Sequence, residues 1–407
     1  MAPTASTRGS DDDVAADRER NASKPRRPSS RRPRVIRPML ALALAASAPA
    51  VPAIAQTVAP VRHELVIRNF RTEGGAVLPE ARVVYGTYGT LDAAGDNAVL
   101  LPSHYMADLT GYGFLIGRGK ALDPGKLFLV TTEMFGNGRS SSPSNTSEPL
   151  HGPRFPAITI RDDVAAAHAV LDALHVRHLK AVIGFSMGAE QAFQWAVSYP
   201  DFMDRIVATS GTARAWGHGI VRLEGQVAAL TTDPAFKGGD YGSAAPDRGI
   251  QAFALVWAGW LYSQEWWRRE LWRGDTPPLA SLPAAIDRYR HIFDGADAND
   301  LILQARTWQA HDVGRSPGFA GDTRAALRSI RVPVLYMPST TDLYFPLTDA
   351  RYECGFIRTC RLYPIPSLWG HPAGAGATPA DTAFINDHVA RFMAGAAMRP
   401  VASARSR

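Results

Sequence analysis

The stretch Val182-Ile183-Gly184-Phe185-Ser186-Met187-Gly188-Ala189 decides how this chain is read. The apolar run from Leu179 to Ile183 in front of it has the length and composition of a buried strand. Behind it, Glu190-Gln191-Ala192-Phe193-Gln194-Trp195-Ala196-Val197 reads as a helix. Between them sits G-x-S-x-G, the sharp turn that lifts a serine hydroxyl out at the top of a parallel sheet. A side chain at either glycine would crowd that turn or the helix behind it. The new helix also points unpaired N–H groups at any carbonyl the serine attacks. Ser186 is therefore the candidate nucleophile.

The chain on either side supplies the sheet such a turn needs. His63 to Asn69 alternates as a strand, and Ala81 to Tyr85 reads as its hairpin partner across Glu73-Gly74-Gly75. Asn97 to Pro102 and Leu127 to Thr132 are short apolar runs, each opening into a polar loop. Arg161 to Leu174 has helical spacing, and Arg205 to Ser210 reads as the strand after the nucleophile helix. Strands alternating with helices of this length imply a mostly parallel α/β sheet. From 214 to 330 the rhythm changes to long, aromatic-rich helical stretches. Phe253, Val256, Trp257 and Trp260 fall at i, i+3, i+4 and i+7 and share a face. Trp257 and Trp260 are candidate substrate-channel residues; helical core is the competing reading. Val332 to Met337 and Arg361 to Ile365 resume the sheet, and Pro379 to Met393 forms a closing amphipathic helix. The expected organisation is a core over 60–213, a helical insertion over 214–330, the rest of the core over 331–395, and a tail over 396–407.

A serine hydroxyl is a weak nucleophile until a base takes its proton, and the base needs an acid to orient it. On this architecture the three arrive in the order Ser, Asp, His, on loops that follow strands. Asp342 follows the Val332–Met337 strand and His371 follows the next one. The competitors fit less well. Asp349 falls within the helix after Asp342, His388 sits in the closing helix, and Asp162 and Asp163 open a helix whose dipole suits them. The oxyanion hole should combine the backbone N–H of Met187 with that of Tyr105 or Met106, in the loop after the Asn97–Pro102 strand. His104 in that loop reads as a framework contact. There is no P-loop, dinucleotide fingerprint or H-E-x-x-H, so no cofactor and no metal is expected.

The formal charge of +6 and pI near 9.4 suggest an anionic partner, but the excess is local. Residues 1–55 hold 10 Lys/Arg and 5 Asp/Glu, which leaves 34 against 33 in the remainder. No electrostatic case for nucleic acid survives that division. The leader itself is informative. A basic run from Lys24 to Arg37 precedes the apolar Met39–Ala46, and Ala53-Ile54-Ala55 offers a small-x-small cleavage site before Gln56. This is a secretory pattern, too short in its apolar part to span a membrane. The expected location is periplasmic or secreted. Ser30-Arg31-Arg32 also resembles a twin-arginine export signal. Only two cysteines occur, Cys354 and Cys360; isolated thiols and a local bridge both fit, and the spacing is no zinc pattern.

Several blocks, in one order from about Ala81 to Phe392, resemble the homoserine O-acetyltransferase family, whose members have the α/β-hydrolase fold. They include Tyr85-Gly86-Thr87-Tyr88-Gly89-Thr90-Leu91, Gly117-Arg118-Gly119-Lys120-Ala121-Leu122-Asp123 and Phe155-Pro156-Ala157-Ile158-Thr159-Ile160-Arg161-Asp162. The nucleophile turn, Thr232-Asp233-Pro234, Asp297-Ala298-Asn299 and Thr341-Asp342-Leu343-Tyr344-Phe345-Pro346 continue the likeness. The resemblance implies a helical lid over a deep tunnel, an acylated Ser186, and Asp342 and His371 as acid and base. It also marks departures. The family usually has an acid directly after the histidine, to hold the amino group of homoserine; here Pro372 stands there. Phe185 and Ala189 replace glycines of the family's turn. An exported enzyme would meet no acetyl-CoA pool. The reading is therefore an ester hydrolase acting on a small acyl ester with water as acceptor. An O-acyltransferase using acyl-CoA is the alternative, and a non-catalytic binding protein the third. No membrane span is expected, and a homodimer stays open.

Overall fold

The computed structural model describes residues 59–396, so the leader expected over 1–55 and nearly all of the tail lie outside the described residues. One eight-stranded sheet organises them. Its strands are β1 (Val61–Arg71), β2 (Val77–Tyr88), β3 (Ala98–Pro102), β4 (Phe128–Thr132), β5 (Leu179–Phe185), β6 (Ile206–Thr209), β7 (Val334–Met337) and β8 (Cys360–Leu362). Their spatial order is β1-β2-β4-β3-β5-β6-β7-β8. The strand β2 runs antiparallel to both neighbours, and every pair from β4 to β8 is parallel. The central strands β3, β4, β6 and β7 are buried at every residue, as strands covered on both faces must be. The first hairpin runs longer than its sequence pattern suggests, pairing Val61 with Thr87 and Arg71 with Val77. Half-buried and exposed residues alternate from His63 to Arg68, as the sequence pattern suggests, and the strand continues beyond that stretch at both ends.

Helices flank this sheet: α1 (Ile160–Ala173), α2 (Met187–Ser198), α3 (Gly217–Thr231), α4 (Asp247–Leu261), α5 (Gln264–Arg268), α6 (Leu282–Arg290), α7 (Ala298–Gln309), α8 (Thr323–Ser329), α9 (Leu347–Cys354) and α10 (Pro379–Met393). The first is stopped at its start by a capping box between Thr159 and Asp162, so Asp162 is a structural cap. Asp163 is buried beside it and accepts from Phe135 N at 2.9 Å, and burial pushes its carboxyl well above the usual range. A second capping box, Thr378 with Asp381, opens α10 over the span expected from its pattern.

Two apolar clusters sandwich the sheet. One joins it to α1 and α2 through residues such as Val164, Phe193 and Trp195, and the other to α10 through Ile385, Val389 and Phe392. The six helices α3–α8 occupy the interval between β6 and β7, and part of that insertion has an aromatic cluster of its own around Trp266, Trp272 and Tyr289. Helix α7 ties the insertion to the sheet's loops. Gln304 accepts from Met106 N at 2.6 Å and donates to Phe135 O at 3.0 Å, while Tyr105 donates from its hydroxyl to Leu301 O at 2.6 Å. Among the described residues no helix is long and apolar enough to cross a membrane.

Candidate active site

Ser186 sits on the turn from β5 into α2 with φ 57° and ψ −127°, a conformation that non-glycine residues rarely hold. The surrounding structure enforces it. A Cβ on Gly184 would run into the carbonyl of Gly188, and one on Gly188 would meet Pro102 O and lie 2.6 Å from the Tyr112 hydroxyl. Tyr112 explains the second limit: it donates to Pro102 O at 2.6 Å and accepts from Phe185 N at 3.0 Å. It thereby locks the residue before the serine to the end of β3. Ser186 N itself donates to Thr209 O on β6 at 3.0 Å.

His371 reaches the serine from the loop after β8. Its Nε2 lies 2.9 Å from Ser186 Oγ and its Nδ1 lies 2.9 Å from Asp342 Oδ2. Asp342 is oriented by its other oxygen, which accepts from Tyr344 N at 2.8 Å and Phe345 N at 3.0 Å. Those two donors leave Oδ2 free for the imidazole. The ring of His371 is held by Phe185, Tyr344 and Phe345, at centroid distances of 4.7, 4.9 and 5.5 Å. Gly370, at φ 62°, makes the approach to His371, and a Cβ there would sit 2.7 Å from Leu261 O. Ser186 is only 3% exposed, so the reacting hydroxyl lies in a site largely closed to water. The structure thus brings Ser186, His371 and Asp342 into one hydrogen-bonded line, an arrangement able to generate a serine alkoxide equivalent.

The other residues proposed from sequence divide. Met187 begins α2, where its N–H has no intrahelical acceptor. Met106 is corrected as an oxyanion donor: its N–H is taken by Gln304 Oε1, which leaves Tyr105 as the loop's candidate. Trp257 packs its ring on Tyr105 at 4.7 Å and on Tyr344 at 5.2 Å, and its carbonyl accepts from the Tyr344 hydroxyl at 2.6 Å. It is one ring removed from His371. Trp260 stands elsewhere, edge-on to His218 at 5.1 Å and half-buried, so the shared helix face does not carry both tryptophans to the site. His104 lies edge-on to Phe185 at 4.8 Å; burial first, then the charge of His371, pushes it down to about 4. His388 is half-buried, stacked 4.1 Å from Phe384 with its Nδ1 2.8 Å from Phe384 O. Tyr112, Gln304 and Arg222 were not singled out from sequence. Each acts by contact with residues distant in the chain, and no local pattern marks them. Among the described residues no cluster of side chains could hold a metal ion.

The α/β hydrolase fold family model matches residues 116–376, and the chain belongs to that family. Within it, the chain is 36% identical over 303 residues to the ethyl acetate hydrolase of Pseudomonas veronii, covering 74% of this chain and 86% of that protein. It is 33% identical over 320 residues to the homoserine O-acetyltransferase of Trichormus variabilis, covering 75% and 87%. The crystal structure of an acetylester hydrolase from Corynebacterium glutamicum superposes with a TM-score of 0.77 at 30% identity, covering 82% of this chain and 96% of that one.

Proposed function

We propose that the protein hydrolyses small carboxylic esters through an acyl-Ser186 intermediate, with water as the acceptor. The observation that carries this reading is the line Ser186–His371–Asp342, with 2.9 Å at each contact. His371 Nε2 takes the hydroxyl proton as Ser186 Oγ attacks the ester carbonyl. The N–H groups of Met187 and Tyr105 face the developing oxyanion, and such a donor is worth about 3–4 kcal/mol in the transition state. The imidazolium then protonates the departing alkoxide, leaving an ester on Ser186. Water repeats the sequence: His371 takes its proton, the acid is released, and the serine regains its hydrogen. Asp342 holds His371 Nδ1 throughout and stabilises the imidazolium.

The ethyl acetate hydrolase and acetylester hydrolase similarities support hydrolysis and a short acyl group. The homoserine O-acetyltransferase similarity favours a second reading, transfer of the acyl group from acyl-CoA to a hydroxyl. Pro372 weighs against it, because the proline side chain offers an ammonium group no carboxylate and no other hydrogen-bond acceptor. Hydrolysis of p-nitrophenyl esters of increasing chain length, with and without homoserine and acetyl-CoA, separates the two. Acetate as the dominant product supports hydrolysis, and O-acetylhomoserine formed many times faster than acetate refutes it.

Export is part of the same proposal. Its supports are the basic run and apolar segment of the leader and the Cys354–Cys360 disulfide, which suits an oxidising compartment. N-terminal sequencing of the protein from its native host tests it; residues 20–50 retained there would overturn it.

A further inference from the structure

We propose that Arg222 is a positioning residue for the acid–base pair: its buried guanidinium props Tyr344 against His371 and sets a fixed positive charge one ring away from the imidazole. This rests on the acyl-Ser186 reading and deepens it. Arg222 lies on α3, outside the three functional loops, and is only 4% exposed. Its guanidinium carbon sits 4.0 Å from the ring centre of Tyr344 and 4.6 Å from that of Trp308. Tyr344 in turn lies 4.9 Å from the His371 ring, and its N–H is one of the two that orient Asp342. Its hydroxyl is fastened to Trp257 O. The ring therefore has guanidinium packed on it and imidazole beside it, and its backbone holds the acid.

The charge on Arg222 has no direct ionic partner among the described residues. Nη1 donates to Gln226, while Nε and Nη2 are buried without an acceptor. Gln226 Nε2 and both carboxyl oxygens of Glu190, on α2, are also buried and unpaired. A buried guanidinium in that state is costly to keep unless its charge is used. Tyr344 faces it directly, and Asp342, Tyr105 and Glu190 are the other ionisable groups near enough to act on its charge. Burial, then Glu353, pushes Glu190 well above the usual carboxyl range, and burial raises both tyrosines far above neutrality. Around His371 stand Asp342, Ser186, Tyr344 and His104, and His104 is neutral above about 4. Arg222 therefore stands across the Tyr344 ring from His371, 4.0 Å from that ring on one side with the imidazole 4.9 Å away on the other. A cation so placed disfavours a second positive charge on the imidazole.

The test is the rate at which a fluorophosphonate labels Ser186 in the full chain between pH 5 and 9, with folding checked by circular dichroism. This readout needs neither the natural substrate nor an acceptor. Arg222→Met should move the acid limb of the labelling rate upward by about one pH unit. Arg222→Lys, which keeps the charge, should restore the wild-type limb. If Arg222→Met does not fold, Arg222→Gln serves as the uncharged variant. A folded, uncharged variant whose limb stays at the wild-type position overturns the proposal, as does a lysine variant that shifts as far as the methionine one. A wild-type protein that is never labelled brings down the acyl-serine reading itself, and this inference with it.

Discussion

Asp342→Asn is the sharpest perturbation of the site, because the structure dictates how the new amide must sit. Asp342 Oδ1 accepts two backbone N–H groups, from Tyr344 at 2.8 Å and Phe345 at 3.0 Å. Placing an NH2 there would set donors against donors and leave two buried N–H groups unsatisfied, at about 1–3 kcal/mol each. The asparagine carbonyl therefore keeps that position, and its NH2 faces His371 Nδ1 across the 2.9 Å contact. Nδ1 must then accept, so the ring proton moves to Nε2. Nε2 now donates towards Ser186 Oγ and has no lone pair for the serine proton. The base is present, correctly placed and in the wrong tautomer. Loss of a base this way in a serine site lowers kcat about 10⁴-fold, or about 5.5 kcal/mol at the transition state. Steady-state hydrolysis of p-nitrophenyl acetate measures it, with fluorophosphonate labelling as a substrate-independent check. Retention of more than about a tenth of the wild-type kcat would refute the tautomer argument and, with it, the role given to Asp342.

Four further outcomes follow from the same geometry. Ser186→Ala should abolish both turnover and fluorophosphonate labelling, and labelling at the wild-type level would place the nucleophile elsewhere. Gly188→Ala should give little soluble active protein, since its Cβ collides with Pro102 O and the Tyr112 hydroxyl; expression with unchanged kcat counts against the braced turn. Pro372→Asp should raise the share of O-acetylhomoserine when homoserine and acetyl-CoA are supplied, and an unchanged product ratio would show that the acceptor is selected at other positions. Cys354 and Cys360 are bonded in the structure and stand six positions apart in sequence, so replacing both with serine should cost about 2 kcal/mol in denaturant unfolding. A change within error would mean that the loop is held by its other contacts, such as Glu353 with Ala213, Trp216 and Tyr336.

Legibility in the sequence followed burial and strain. The strands β3, β5 and β7 announce themselves as apolar runs because both faces are covered, so hydrophobicity alone marks them. The outer hairpin is less distinct, because its exposed residues are under no such constraint and β2 begins four residues before its apolar part. Strand β8, Cys360–Leu362, ends before the expected run Arg361–Ile365 does, although Tyr363 N and Ile365 N still donate to Tyr336 O and Pro338 O and Ile365 pairs with Ser339 in an isolated parallel bridge. The helical face of Trp257 and Trp260 was also legible, but not its partners. The two rings diverge to Tyr344 and to His218, and only packing decides that.

By itself the sequence determined the nucleophile turn and the order of its partners. Two glycines around a serine, set between an apolar run and a helix, leave the backbone little choice, and an acid and a histidine after later strands must come to the same sheet edge. Those are consequences of local strain and chain order. The tertiary structure alone decided which of two adjacent N–H groups remains free for an oxyanion, since Gln304 on α7 claims that of Met106 from 198 residues away. It alone decided that a tyrosine at 112 braces the turn and that an arginine at 222 packs on the tyrosine whose N–H orients the acid. Such roles arise from contacts between segments remote in the chain, where distance and burial set the energy and no pattern in the sequence records them.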